Sequence, residues 1–221
     1  MKSLKLFFYV VLVVFFISCD LEPFGTGKND FAQHELDQTE IVEKTDLFIS
    51  DSENNKFVFS TNEIQYLSNK GFTLWAITEE NKTEEFESIE YILYKESGNK
   101  DAGYGLVFCQ QKIDGKQFLL CVMISATGNY CIGRVVDGSF SSITKWKTCT
   151  YLNKGYGAKN TLHLSYKTEE GKFVLKINGY QVTEFTVEDA LTFKGSHSGF
   201  VVVLSDREQF PENPVRVIFE K

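Results

Sequence analysis

Five turn signals cut the middle of this chain into apolar runs too short to be helices: Asp114-Gly115, Thr127-Gly128-Asn129, Asp137-Gly138, Glu170-Gly171 and Asn178-Gly179. Each offers a residue that accepts positive φ, as a tight turn between two antiparallel strands requires. The intervening runs alternate. From Thr161 to Tyr166 the residues Leu162, Leu164 and Tyr166 go to one side and the polar residues to the other, and Phe173, Leu175 and Ile177 repeat that rule in the next run. Val182 and Phe185 lie three apart rather than two, which predicts a bulge near Thr183-Glu184 that returns Phe185 to the core face. The pattern predicts an all-β, antiparallel sandwich with strands over 56–60, 63–67, 72–78, 86–95, 104–112, 117–125, 130–136, 140–146, 161–167, 172–178, 181–187, 199–204 and 215–220.

The start of the chain has a different character. Lys2 and Lys5 precede an apolar run from Leu6 to Ile17, followed by Ser18 and Cys19. Two positive charges and about a dozen apolar residues make a secretion signal whose apolar core is short for a permanent span. Phe16-Ile17-Ser18-Cys19 resembles the lipobox of bacterial lipoproteins, with Phe16 where Leu is usual. That resemblance implies cleavage before Cys19 and fatty acylation (palmitate) of its thiol and new amine. Asp20 directly after it resembles the inner-membrane retention signal of some enteric bacteria, although sorting rules differ among bacterial groups. The expected organisation is a signal peptide over 1–18, a lipidated cysteine with an acidic tether over 19–53, and a sandwich domain over 54–221. The tether reading rests on Glu22, Asp30, Glu35, Asp37, Glu40, Glu43, Asp46 and Asp51 against Lys28 and Lys44, a self-repelling composition. Leu47-Phe48-Ile49 could instead pack on the domain as a short first strand.

Charge excludes one class of partner. The chain carries −7, and losing Lys2 and Lys5 with the leader takes the mature form near −9, which argues against nucleic acid and against a polybasic membrane patch. The membrane partner is then reached through the lipid chains, and several chains hold better than one.

With Cys19 assigned to lipid, Cys109, Cys121, Cys131 and Cys149 remain, and both disulfides and buried thiols fit an exported chain. A three-residue loop at Asp114-Gly115-Lys116 would set Cys109 opposite Cys121, whereas a two-residue Asp114-Gly115 loop would put them on opposite faces. No pair shows the short spacing of a structural zinc site. The three histidines, His34, His163 and His197, form no metal or nucleophile-base pattern, Asp137, Asp189 and Asp206 form no dense calcium loop, and no cofactor is implied.

Gly103-Tyr104-Gly105-Leu106-Val107-Phe108, Ile124-Ser125 through Gly128-Asn129-Tyr130, Asp137-Gly138-Ser139-Phe140, Trp146, Asn160-Thr161-Leu162, Phe173 to Gly179 and Gly199-Phe200-Val201 occur in an order that resembles concanavalin A-like and laminin G-like jelly rolls of exported bacterial proteins. The resemblance covers about residues 56 to 220. It implies a jelly-roll β-sandwich and a functional range of lectins, adhesion modules, carbohydrate-binding modules and some glycoside hydrolases. Retaining hydrolases of this kind carry carboxylates at alternate positions of one strand, which period 2 projects into one cleft. No such run occurs: Glu87 and Glu90 are three apart, and Glu188-Asp189 are adjacent. No catalytic residue is therefore assigned. A binding surface is expected from aromatic residues, since a sugar's C–H face packs on an exposed ring. Trp75, Tyr130, Trp146, Tyr156 and Tyr180 are the candidates, with Trp75 and Trp146 also fitting core packing. Tyr156, in the glycine-flanked loop Asn153 to Gly157, leads, with Tyr130 and Trp146 as companions. The expectation is a non-catalytic lipoprotein of the bacterial cell envelope with a glycan or an envelope protein as partner. The alternatives are a structural or adhesin-like lipoprotein and a divergent glycoside-processing enzyme.

Overall fold

The computed structural model describes residues 39–67, 71–82, 86–187 and 197–221. Cys19, Asp20, His34 and Glu188-Asp189, with the expected signal peptide, lie outside the described residues.

Fourteen strands run in chain order: β1 Glu40–Glu43, β2 Phe48–Asp51, β3 Lys56–Thr61, β4 Phe72–Lys82, β5 Ser88–Ser97, β6 Tyr104–Ile113, β7 Lys116–Ile124, β8 Asn129–Val136, β9 Ser139–Thr148, β10 Asn160–Lys167, β11 Lys172–Ile177, β12 Tyr180–Phe185, β13 His197–Leu204 and β14 Val215–Glu220. They form two seven-stranded sheets. Sheet 1 has the order β1-β4-β13-β6-β7-β8-β9, and sheet 2 the order β12-β11-β10-β5-β14-β3-β2. Every pairing is antiparallel except β1 with β4. The jelly-roll sandwich expected from the sequence is the observed architecture.

Local turn chemistry accounts for the hairpins. Asp114, Asp137 and Asn178 have φ of 51°, 49° and 52°, each followed by a glycine at 78°, 78° and 83°. Two consecutive positive φ values give a two-residue turn whose twist matches that of the flanking strands. The predicted faces hold as well: Leu162, Leu164, Phe173, Leu175 and Ile177 are buried, and Tyr166 packs on the same cluster. The bulge in β12 is present at Val182, where the register steps from Leu175–Thr183 to Lys176–Gln181, and Phe185 is buried.

The sheets enclose a core rich in aromatic rings, among them Phe59, Tyr91, Tyr104, Phe108, Phe200 and Phe219. Phe200 and Phe219 stack at 4.2 Å across the two sheets. A second apolar cluster, with Trp75, Val107, Cys121, Met123, Cys131, Trp146 and Val201, lies on the face of sheet 1 turned away from sheet 2.

Three expectations are corrected. Residues 40–43 and 48–51 of the expected tether belong to the sheets, joined by a 3-10 turn over Thr45–Leu47: β1 pairs with β4, and β2 pairs with β3 and buries Phe48, the alternative that Leu47-Phe48-Ile49 had suggested. The 63–67 strand is a 3-10 turn over Ile64–Tyr66, closed by the Tyr66 amide on the Glu63 carbonyl and packed by Tyr66 against Phe72 at 5.4 Å. The Cys109–Cys121 pairing does not form. Ile113 pairs with Lys116, so the loop has two residues, and Cys121 lies opposite Val107. A bulge between Phe108 and Gln111 gives Cys109 a φ of 53° and packs it in the inter-sheet core, while Cys121 belongs to the opposite face. The four cysteines among the described residues, Cys109, Cys121, Cys131 and Cys149, are buried thiols.

Candidate functional site

At one end of the sandwich β5, β9 and β13 stop and β6, β10 and β14 begin, so the loops 98–103, 149–159 and 205–214 meet. The arrangement starts in β5. Ile89, Tyr91 and Leu93 occupy its core-facing positions, and the same alternation carries Lys95 inward, where it is 0% exposed. Its Nζ donates to the carbonyls of Asn99 at 2.8 Å and Ala102 at 2.9 Å, and stands 5.5 Å from the Tyr104 ring centre. Burial pulls its pKa down to about 8, opposed by the charges of Glu208 and Asp101.

Glu208 is the counterpart from the 205–214 loop, 6% exposed. Its Oε2 accepts the Asn99 amide at 2.8 Å and its Oε1 accepts the Ser205 amide at 3.4 Å. Burial raises its carboxyl above the usual range, with Lys95 and the two amides opposing. Asn99 ties the two loops again, its Nδ2 donating to Ser205 Oγ at 2.8 Å and its Oδ1 accepting the Asp101 amide at 3.0 Å. Gly98 completes the close approach. At φ +98°, a Cβ there would lie 2.6 Å from Val215 Cγ2 and 3.1 Å from Glu208 Oε2.

The third loop supplies the ring. The Tyr156 hydroxyl donates to the Gly98 carbonyl, the Lys100 ammonium sits 4.7 Å from the ring centre, and the Gly157 amide donates to the Lys95 carbonyl at 2.9 Å. Tyr156 is 45% exposed; burial, and then the Glu208 charge, raises its phenol pKa. Together these groups line a pocket of about 370 Å³, with Gln209, Asn213 and Arg207 on its remaining walls. That size is at the lower end of small-molecule sites. A half-exposed ring edged by amide, ammonium and guanidinium groups suits a ligand with one apolar face and several hydroxyls. Among the described residues of the lining, Glu208 is the one carboxylate, and both of its oxygens are already engaged by backbone amides.

Of the residues expected at a ligand surface, Tyr156 lines this pocket, whereas Trp146 and Tyr130 do not. Tyr130 is 5% exposed and faces the inter-sheet core; Trp146 is 4% exposed on the opposite face of sheet 1, its Nε1 without a hydrogen-bond partner. Alternate faces of one sheet separate them. Trp75 is buried in the same apolar cluster as Trp146, and Tyr180 is exposed. His163 lies opposite Glu90 across β10 and β5, while His197 opens β13 with Nδ1 3.4 Å from the Gln110 carbonyl. Among the described residues, no group of three or more His, Cys, Asp or Glu side chains is arranged to hold a metal ion. Lys95, Asn99 and Glu208 escaped the sequence reading, although the parity of Lys95 was available.

No protein-family model and no curated protein matches the sequence. Solved structures do resemble the fold. A glycoside hydrolase family 16 endo-glucanase from Bacteroides ovatus superposes with a TM-score of 0.55 over 83% of this chain and 87% of its own, at 7% identity. A β-glucanase from Bacillus licheniformis does so with a TM-score of 0.51 over 83% and 84%, also at 7% identity. A carbohydrate-binding module from Bacillus subtilis aligns more loosely, with a TM-score of 0.43 over 66% of this chain and 88% of that one, at 15% identity. The two glucanases establish the shared jelly-roll fold; the third superposition adds nothing to it.

Proposed function

We propose that this protein is a lipid-anchored component of the bacterial cell envelope whose sandwich binds a glycan in the pocket between the three loops, without catalysing a reaction. The observation that carries this reading is Tyr156, half-exposed and fixed by its hydroxyl to Gly98, beside hydrogen-bonding side chains on a cross-braced frame. A site held in place before binding loses little ordering entropy when it closes on a flexible polyol. The non-catalytic part is supported by the distribution of carboxylates. Strands β6, β7, β8, β9 and β13, the centre and one flank of sheet 1, contain no Asp or Glu, and Glu208 is the one carboxylate among the described residues that line the pocket. A glycan is also what fold analogy with the glucanases points to. Anchoring is supported by the run from Lys2 to Cys19, and the envelope as its location follows from anchoring.

A glycan-array screen of the full-length protein in detergent micelles, with Tyr156→Ala in parallel, tests binding. Saturable binding to one sugar class, lost in the variant, is expected; a folded protein that binds no glycan would overturn the reading. Mass spectrometry of the N-terminus after expression in bacteria, compared with Cys19→Ser, tests the anchor. A second reading, an adhesin-like or assembly protein, is favoured by Ile49 and Ile64, each 62% exposed, the former on the edge strand β2.

A further inference from the structure

The pocket leaves two exposed tyrosines unused. Tyr151 lies in the same loop as Tyr156, and Tyr180 opens β12 directly after the Asn178-Gly179 turn. Their rings stack at 4.5 Å with an 8° interplanar angle, and the residues remain 44% and 58% exposed.

Holding two surface rings in register costs rotamer entropy, and here the backbone beneath them is already fixed. Asn178 Nδ2 donates to the Tyr151 carbonyl at 2.7 Å and to Asn160 Oδ1 at 2.9 Å, while its Oδ1 accepts the Thr161 amide at 2.8 Å. The Asn153 amide in turn donates to Asn160 Oδ1 at 2.8 Å. The polar network is spent on the frame, and the rings are left facing outward.

We propose that the Tyr151–Tyr180 pair is a second stacking subsite, for the C–H face of a pyranose ring, so that the ligand is an oligosaccharide lying along the 149–159 loop with one unit in the pocket. This rests on the glycan reading of the pocket. Continuity through one loop selects the occupant: Tyr151 and Tyr156 are five residues apart, a span of at most about 17 Å. A short oligosaccharide covers any separation up to that length. The face of a phenol ring attracts polarised C–H groups, and its hydroxyl remains available to a neighbouring sugar hydroxyl.

The test is titration calorimetry of full-length protein in detergent with ladders of glucose, mannose and galacturonate oligomers from one to six units. At least one ladder should gain affinity with length, by about fivefold or more between its shortest and longest bound members. Tyr180→Ala and Tyr151→Ala should each remove that gain and leave the affinity for the shortest bound member within about twofold, while Tyr180→Phe retains it. Binding without length dependence, or length dependence untouched by both alanine variants, would overturn the second subsite and leave the pocket reading standing. Failure of every ladder to bind would overturn both.

Discussion

The ammonium of Lys95 donates to the carbonyl of Asn99 at 2.8 Å, while the amide of that same Asn99 donates to the Glu208 carboxylate at 2.8 Å. One peptide segment is thus gripped from below by a buried cation and from the side by a buried anion. Lys95→Met should leave the Asn99 and Ala102 carbonyls unpaired and Glu208 without its compensating charge, at a cost of about 2–4 kcal/mol at pH 7. Urea unfolding measures that cost. A glycan bound by the parent protein should also bind more weakly, because Asn99 and Lys100 line the pocket.

The same lysine predicts a pH dependence. Its folded pKa of about 8 is below the unfolded value of 10.5, so between those limits the unfolded chain holds a proton that the folded chain lacks. Stability from this group therefore rises with pH across that window, by about 2 kcal/mol by pH 9.5. The stability difference between parent and Lys95→Met should widen by that amount from pH 7.5 to 9.5. Taking the difference cancels titrations common to both, including the raised phenol of Tyr94. A constant or narrowing difference would contradict the account.

Thiol chemistry checks the register of β6 and β7. Burial raises the Cys109 thiol and pushes Cys121 up to about 12, and only the thiolate reacts. The native protein should resist Ellman's reagent at pH 8, and Cys109, Cys121, Cys131 and Cys149 should all react once it is unfolded without reductant. Fewer than four reactive thiols would mean that a bridge exists.

Asn178 combines a φ of 52° with three side-chain hydrogen bonds, to Tyr151, Asn160 and Thr161. Asn178→Ala should lose about 2–3 kcal/mol, and Asn178→Gly should recover about 1 kcal/mol of it by relieving the backbone alone. Equal stabilities in the two variants would show that the turn carries no conformational strain.

The fold was legible where its cause is local. Asp114-Gly115, Asp137-Gly138 and Asn178-Gly179 announce their turns in adjacent residues, and the alternation of Leu162 and Leu164 assigns a face without knowledge of the partner strand. Features that depend on pairing were harder to see. In β1 only Ile41 and Val42 are apolar, between exposed Glu40 and Glu43, too short a run to show through an acidic composition until β4 lies beside it. The bulge in β6 puts Phe108 and Cys109, adjacent in sequence, into the same core, and so breaks any parity argument about cysteine pairing. The pocket unites Gly98, Tyr156 and Glu208 from three separate loops, and only Tyr156 carried a local signal, a ring flanked by glycines. Trp146 and Tyr130 were plausible by type, but the sheet buried them on opposite faces.

The central claim is that a glycan occupies the pocket framed by Gly98, Tyr156 and Glu208. Backbone amide chemical-shift mapping of the full-length protein in detergent, titrated with the glucose, mannose and galacturonate ladders, tests it most directly. The account predicts that at least one ladder shifts Asn99, Lys100, Tyr156 and Asn213 in a saturable way, with Tyr156→Ala abolishing the response. Saturable shifts that leave those four residues unmoved, or no saturable shift with any ladder, would contradict it.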